Sequence, residues 1–264
     1  MDQVEPHREL DFGVIKSPHS VKVTLALLAY NEEQVIEEVV RESAAHLARD
    51  FAPGDFELLV INDGSRDRTG EIADRLAAEI PGVRVYHHNP NRGYVEGTLS
   101  ALREARGDYV CIFDGDGQHT AEDVKRFVEK LDSGYDIVFG WKKVRHDPLM
   151  RQVLTRGLRL AAHYALHTRL HDINAGCRGF RREHAAKLSV IKHRINFIGA
   201  ELYTRARLND LRIAEMVVLH MAREGGASSH PLKKLPKEMG QVAVYLYSLR
   251  GELRAANKYR RYIP

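Results

Sequence analysis

Short apolar runs alternate along this chain with segments whose apolar residues recur every three or four positions, and the alternation begins near Val21. An unbroken apolar run of a few residues marks a buried strand, and a 3.6-residue period marks a helix facing a core. On that basis strands are predicted at Val23–Leu28, Glu57–Ile61, Val83–Tyr86, Tyr109–Phe113 and Ile137–Gly140. Helices are predicted between them, at Gln34–Arg49, Arg68–Glu79, Thr98–Ala105 and Ala121–Leu131. This βα alternation with apolar strands implies an α/β fold, its sheet mostly parallel and covered by helices on both faces.

After Gly140 the pattern changes. A long helix is predicted at Leu149–Leu166, then a glycine-containing segment at Asn174–Phe180, a helix at Ala200–Leu208 and a strand at Ile213–Leu219. Residues 1–20 are polar, contain Pro6 and Pro18 and keep no period, so they read as a flexible N-terminal arm. In residues 232–264, Val242, Tyr245, Leu246 and Leu249 stand at helical spacing among basic residues, which predicts a basic helical extension. The organisation expected is an arm (1–20), one domain (21–231) and the extension (232–264), the domain having one half up to residue 140 and a second from 141.

The fourth strand runs straight into Asp114-Gly115-Asp116-Gly117-Gln118-His119. The C-terminal end of a strand in an open α/β sheet is where such folds bind ligands. Asp114, Asp116 and Gln118 can offer three oxygens to one hard divalent cation, and Mg or Mn suits such ligands. An EF-hand loop starting at Asp114 fails, because His119 and Lys125 stand where Gly and Glu are required. A phosphatase with Asp114 as nucleophile is a minor alternative, and two acids that merely end a strand and cap a helix are the bland one.

Composition narrows the setting. With 44% hydrophobic and 29% charged residues, 264 residues can bury an ordinary core. Cys111 and Cys177 make no disulfide framework and no signal-like segment precedes the first strand, so a reducing, cytoplasmic compartment is expected. No apolar stretch approaches the roughly 18 residues that cross a bilayer. The whole chain carries +4, but residues 232–264 hold eight basic side chains against Glu238 and Glu252, a net +6 that leaves −2 for the rest. Such a tail suits peripheral contact with an anionic membrane, or else packs on the domain; nucleic-acid binding is not expected.

Four strand ends carry polar groups in series: Tyr30-Asn31-Glu32-Glu33, Asn62-Asp63-Gly64-Ser65, Asn89 to Gly93, and Asp114 to Gln118. In these motifs the chain resembles the family-two inverting glycosyltransferases of the GT-A fold, and within them the dolichyl-phosphate mannose synthase and polyprenyl-phosphate glycosyltransferase subgroup, from about Val21 to Ser229. Leu28 stands where the family usually has Pro, and Asn62 where it has Asp. The resemblance implies a nucleotide site of Ala29, Tyr30, Glu32, Asp63, Arg92 and Asp114, with Tyr30 and Glu32 flanking the base and Asp63 accepting hydrogen bonds from it. It further implies that Asp114, Asp116 and Gln118 hold Mg or Mn on the donor's diphosphate.

The second half matches the subgroup through Asp172-Ile173-Asn174-Ala175-Gly176-Cys177-Arg178, which keeps the acid, the Gly and the Arg, and through Arg223 to Ser228. Lys142, Arg151 and Thr155 stand where relatives using a lipid phosphate place an Arg and an Arg-x-x-x-Ser; with Arg178 and Arg223 they form the implied acceptor-phosphate set. Lys for Arg removes a bidentate fork. The expected activity is inverting transfer from a nucleotide diphosphate sugar, such as GDP-mannose or a UDP-hexose, to a polyprenyl phosphate. A soluble hydroxyl acceptor is the alternative and would make Asp172 the base; a non-catalytic nucleotide-sugar binder is the alternative of another class. The histidines His87, His88, His163, His167 and His171 show no ligand spacing and are expected at the surface or satisfied in the core.

Overall fold

The computed structural model describes residues 21–142, 149–191, 197–221 and 235–259; at 149–155 and 235–239 the description is of the backbone alone. Seven strands, β1 Val23–Ala29, β2 Phe56–Asn62, β3 Val83–His87, β4 Tyr109–Asp114, β5 Ile137–Lys142, β6 Cys177–Arg181 and β7 Ile213–Val218, form one sheet in the order β3-β2-β1-β4-β6-β5-β7. Helices α1 Ile36–Asp50, α2 Thr69–Glu79, α3 Tyr94–Glu104, α4 Asp123–Asp132, α5 Leu149–Leu166, α6 Ala185–Leu188, α7 Ile198–Leu208 and α8 Leu235–Ala255 surround it. β1, β2 and β4 are buried almost throughout because helices cover both faces, which is why they read as unbroken apolar runs. One core joins the sheet to α1, α2 and α4 through residues such as Ile36, Leu76 and Phe127. The other joins it to α3, α5, α7 and α8 through Leu102, Ala162, Leu202 and Leu246.

Two departures from the expected elements matter for the site. The segment at Asn174–Phe180 contains a strand, β6, antiparallel to both β4 and β5 and lying between them. Its sequence, Cys-Arg-Gly-Phe-Arg, breaks every strand pattern, yet its first four residues are buried. Gly179 is required there: a Cβ would lie 2.8 Å from the Phe127 ring. The second departure is α3, which starts at Tyr94 and not at Thr98. Its start is set by Asp63, 30 residues earlier, whose carboxylate accepts the N–H groups of Arg92 and Gly93 at 2.8 Å each. A negative charge at a helix N-terminus satisfies orphan donors and opposes the helix dipole.

The extension packs on the domain, the second of its two expected placements. Val242, Tyr245, Leu246 and Leu249, the stripe that could have met a membrane, are at most 8% exposed and complete the second core. Buried polar contacts fasten α8 to α7: Arg205 pairs with Glu201 and, at 2.8 Å, with Glu252, and the Tyr245 hydroxyl donates to Glu201. The outward side of α8 instead shows Val244 and Tyr247, while α5 shows Leu160 and Tyr164, each more than 60% exposed. Among the described residues no helix is long and apolar enough to cross a membrane. The N-terminal arm lies outside the described residues.

Candidate active site

The strand order sets β3, β2, β1 and β4 side by side and parallel, so their polar C-terminal ends form one edge. The loops after β1 and β2 are fastened to each other. Ser65 Oγ accepts the Asn31 N–H at 3.0 Å, Asn31 Oδ1 accepts the Arg66 N–H at 2.8 Å, and Thr69 Oγ1 accepts the Glu32 N–H at 2.8 Å. Between these loops and the one after β3 opens a cleft of about 720 Å³, lined by Tyr30, Asn62, Gly64, Ser65, Arg66 and the segment 87–91. Tyr30 therefore stands where expected. Ala29 is buried in the sheet with its carbonyl accepting the Asp63 N–H at 2.9 Å, and Glu32 begins the turn into α1. Asn62, the departure from the family pattern, is bonded to His87 Nδ1 at 2.9 Å, and His87 Nε2 to Asp74 at 2.9 Å.

Asp63 also holds the loop after β3. Besides the two helix-start N–H groups, it accepts His88 Nδ1 at 2.6 Å and Asn91 Nδ2 at 2.8 Å. A carboxylate has about four lone-pair directions, so four donors from the chain itself fill it. A hydrogen bond from a base would have to displace one of them; in this structure Asp63 is the anchor of the 88–94 loop. Because a carboxylate only accepts, His88 carries its proton on Nδ1, and its Nε2 sits 2.8 Å from Ser100 Oγ. His88 was placed correctly as a satisfied histidine, but its importance to the cleft wall was not legible. Asp63→Ala is expected to strand the buried His88 donor and release the loop N–H groups, lowering unfolding free energy by about 1–3 kcal/mol. Chemical denaturation checks this; an unchanged midpoint would show that the loop holds itself.

At the end of β4 the chain turns at Gly115, whose N–H bonds the Leu28 carbonyl at 2.8 Å, and Asp116 accepts the Gln118 N–H at 3.1 Å. Asp114 is gripped from two sides. The Tyr94 hydroxyl donates to its Oδ1 at 2.9 Å, and the Asp114 N–H bonds the Gly176 carbonyl at 3.0 Å. Gly176 makes room for the other oxygen: a Cβ there would lie 2.0 Å from Asp114 Oδ2 and 3.0 Å from His119 Nε2. Arg178, 1% exposed on β6, reaches the Tyr94 hydroxyl at 3.4 Å. Both ring nitrogens of His119 and two guanidinium nitrogens of Arg178 are buried with no hydrogen-bond partner among the described residues.

The electrostatics follow from this crowding. Enclosure and then the Asp116 charge push the Asp114 carboxyl up to about 6, against Lys142, Tyr94 and Arg178, which pull it down. Burial, followed by Lys142, His220 and Arg178, holds His119 well below the usual imidazole range, so it is neutral. The structure thus brings Lys142 and Arg178 near Asp114. Asp172 is buried and its N–H donates to Glu215 Oε1 at 3.0 Å; the neighbouring His171 bonds Glu215 at 2.7 Å and stacks on Trp141 at 4.1 Å. Arg92 is exposed at the loop. Arg151 and Thr155 lie in the first turns of α5 with side chains outside the description, and Arg223 lies outside the described residues.

The raised carboxyl has a measurable consequence. Between its ordinary value near 3.8 and about 6, Asp114 binds a proton in the folded chain that it releases in the unfolded one. Its contribution to stability therefore falls as pH rises through that window. Ligation of a cation needs the ionised form, so Mn2+ affinity is expected to rise from pH 5 to pH 7 and then level. Titration by electron paramagnetic resonance checks this, and a flat profile would separate Asp114 from the metal.

Comparison with known proteins decides the family. Residues 24–189 match the model of Glycosyl transferase family 2. The chain belongs to that family. It is a glycosyltransferase with the GT-A fold, as its motifs implied. Polyprenol monophosphomannose synthase of Mycolicibacterium smegmatis is 31% identical over 262 residues, covering 93% of this chain and 95% of that one. Glycosyltransferase AglD of Haloferax volcanii is 35% identical over 205 residues, and an undecaprenyl-phosphate 4-deoxy-4-formamido-L-arabinose transferase of Pseudomonas paraeruginosa is 30% identical over 215. These cover 75% and 81% of the chain, which spans only 33% and 61% of their lengths. Among solved structures, glucosyl-3-phosphoglycerate synthase of Mycobacterium tuberculosis with Mn2+, UDP-glucose and phosphoglyceric acid superposes with a TM-score of 0.65 at 23% identity, covering 87% of this chain and 80% of that one. That likeness concerns the fold.

Proposed function

We propose that this glycosyltransferase moves a sugar, with inversion, from a nucleotide diphosphate sugar to a polyprenyl phosphate, using Mg or Mn. The observation that carries the reading is the arrangement at the end of the nucleotide cleft: two carboxylates, Asp114 and Asp116, beside two cations, Lys142 and Arg178, around a neutral His119. The names of the synthase and of the undecaprenyl-phosphate transferase support the acceptor class.

The residues fit a hard divalent cation. Asp114 Oδ2 takes no hydrogen bond from the described residues, and Asp116 and Gln118 add oxygens of the kind such ions prefer. Among the described residues no three His, Cys, Asp or Glu side chains form a metal cage by themselves, so diphosphate oxygens would complete the set. When bound, the ion supplies Lewis-acid stabilisation of the departing diphosphate. The chain's residues do the rest. The cleft at Tyr30 takes the nucleoside, and the glycosidic C–O bond to the diphosphate breaks as a bond to the acceptor oxygen forms on the opposite face. A phosphate monoester, with its second pKa about 6, is largely dianionic at pH 7 and needs cations to position it but no base. Lys142 and Arg178 are those cations among the described residues, joined by Arg151, Thr155 and Arg223 on the family pattern. The soluble-hydroxyl alternative would ask Asp172 to take a proton.

Membrane contact, if it accompanies a lipid acceptor, belongs to the exposed side of α8 and α5, since the other side of α8 is core. The test is incubation with Mn2+ and a panel of GDP- and UDP-sugars, with polyprenyl phosphate in anionic vesicles or with soluble alcohols. Consumption of one donor only in the presence of polyprenyl phosphate is expected. Equal transfer to soluble alcohols would overturn the acceptor. Val244→Ser with Tyr247→Ser, which spares the core, should weaken vesicle binding.

A further inference from the structure

Tyr94 was not singled out by any motif, yet it stands between three charged groups. Arginine can only donate, so Arg178 Nη1, 3.4 Å away, donates to the Tyr94 oxygen, and the phenol proton points at Asp114 Oδ1, 2.9 Å away. The direction of the pair is therefore defined, and burial, with Asp114 next, pushes the phenol upward so that it keeps its proton. With Oδ1 engaged, the oxygen that takes no hydrogen bond from the described residues is Oδ2, which packs over Gly176, where a Cβ would come within 2.0 Å of it.

The backbone under Tyr94 is held as well. Its neighbour Gly93, at φ 86°, donates its N–H to Asp63, the carboxylate that also ties His88 and Asn91 into the cleft wall. A continuous set of contacts thus runs from the cleft through Asp63, Gly93 and Tyr94 to Asp114. Contiguity of this kind transmits position when each member has a fixed geometry.

We propose that Tyr94 is a positioning residue that presents a single oxygen of Asp114 to the metal-diphosphate, and that it ties this carboxylate to the wall of the nucleotide cleft. The proposal rests on the reading of Asp114 as a metal-diphosphate carboxylate. It goes beyond that reading by assigning a residue and a linkage that the motifs named above do not include.

The test uses the full chain, with Mn2+ plus UDP and Mn2+ plus GDP as probes, followed by electron paramagnetic resonance and calorimetry. Tyr94→Phe removes one oxygen and keeps the ring, so the fold is retained, which circular dichroism verifies. For whichever diphosphate binds, Tyr94→Phe should weaken the Mn2+ complex about tenfold, the scale of a hydrogen bond to a charged group. Affinity for the corresponding nucleoside monophosphate without metal should not change. A merely structural role would weaken both, and that result overturns the proposal. So does an unchanged Mn2+-diphosphate affinity in Tyr94→Phe when Asp114→Asn has lost it. If Asp114→Asn itself binds normally, the failure lies with the reading of Asp114 and takes the proposal with it.

Discussion

Replacing Asp116 by alanine is expected to reduce sugar transfer by roughly 10²- to 10³-fold, the range seen when one preorganised electrostatic group is removed from a charge-developing transition state. The fold should survive, because Asp116 is half-exposed and its bond to the Gln118 N–H lies within one turn. Turnover of labelled donor alongside circular dichroism separates the two effects. Near-normal turnover, or full activity of the native chain in excess chelator, would remove the metal from the reaction.

Gly176→Ala is expected to be as damaging, for a steric reason. The new methyl would sit 2.0 Å from Asp114 Oδ2, and the backbone cannot retreat, since the Gly176 carbonyl holds the Asp114 N–H and Cys177 is registered against Phe113. The carboxylate must swing away and forfeit its bond from Tyr94. Stability should fall by about 1–3 kcal/mol, as overpacking of a tight site does, and transfer by at least about 10²-fold. Thermal unfolding and steady-state kinetics check the two parts. A variant with native turnover would show that the orientation of Asp114 is immaterial.

What could be read from the sequence follows from how far each signal reaches along the chain. The ends of β1, β2 and β4 were legible because an apolar run and the polar residues after it are contiguous, as in Phe113-Asp114. Tyr94 and His88 were not, since their partners Asp114 and Asp63 lie 20 and 25 residues away and no local pattern announces a pairing in space. The start of α3 escaped for the same reason, its capping carboxylate being remote. β6 escaped because Arg178 and Gly179 serve the site and the Phe127 contact, at the cost of strand-like composition. In α8 the apolar stripe was recognised but its partner stayed open between a lipid surface and the domain, because both ask for the same spacing; the buried Arg205 cluster distinguishes them.

The position of β6 bears on how the chain is made. β4 and β5 are synthesised early, yet the strand that pairs with both emerges about 35 residues after β5 ends. Until then each has an open edge of unpaired backbone groups, and such edges invite pairing with other chains. The amino-terminal half therefore leaves β4 and β5 unjoined. Contacts this distant in sequence slow folding, and Asp114 has neither Gly176 nor Arg178 beside it until the ribosome has delivered β6.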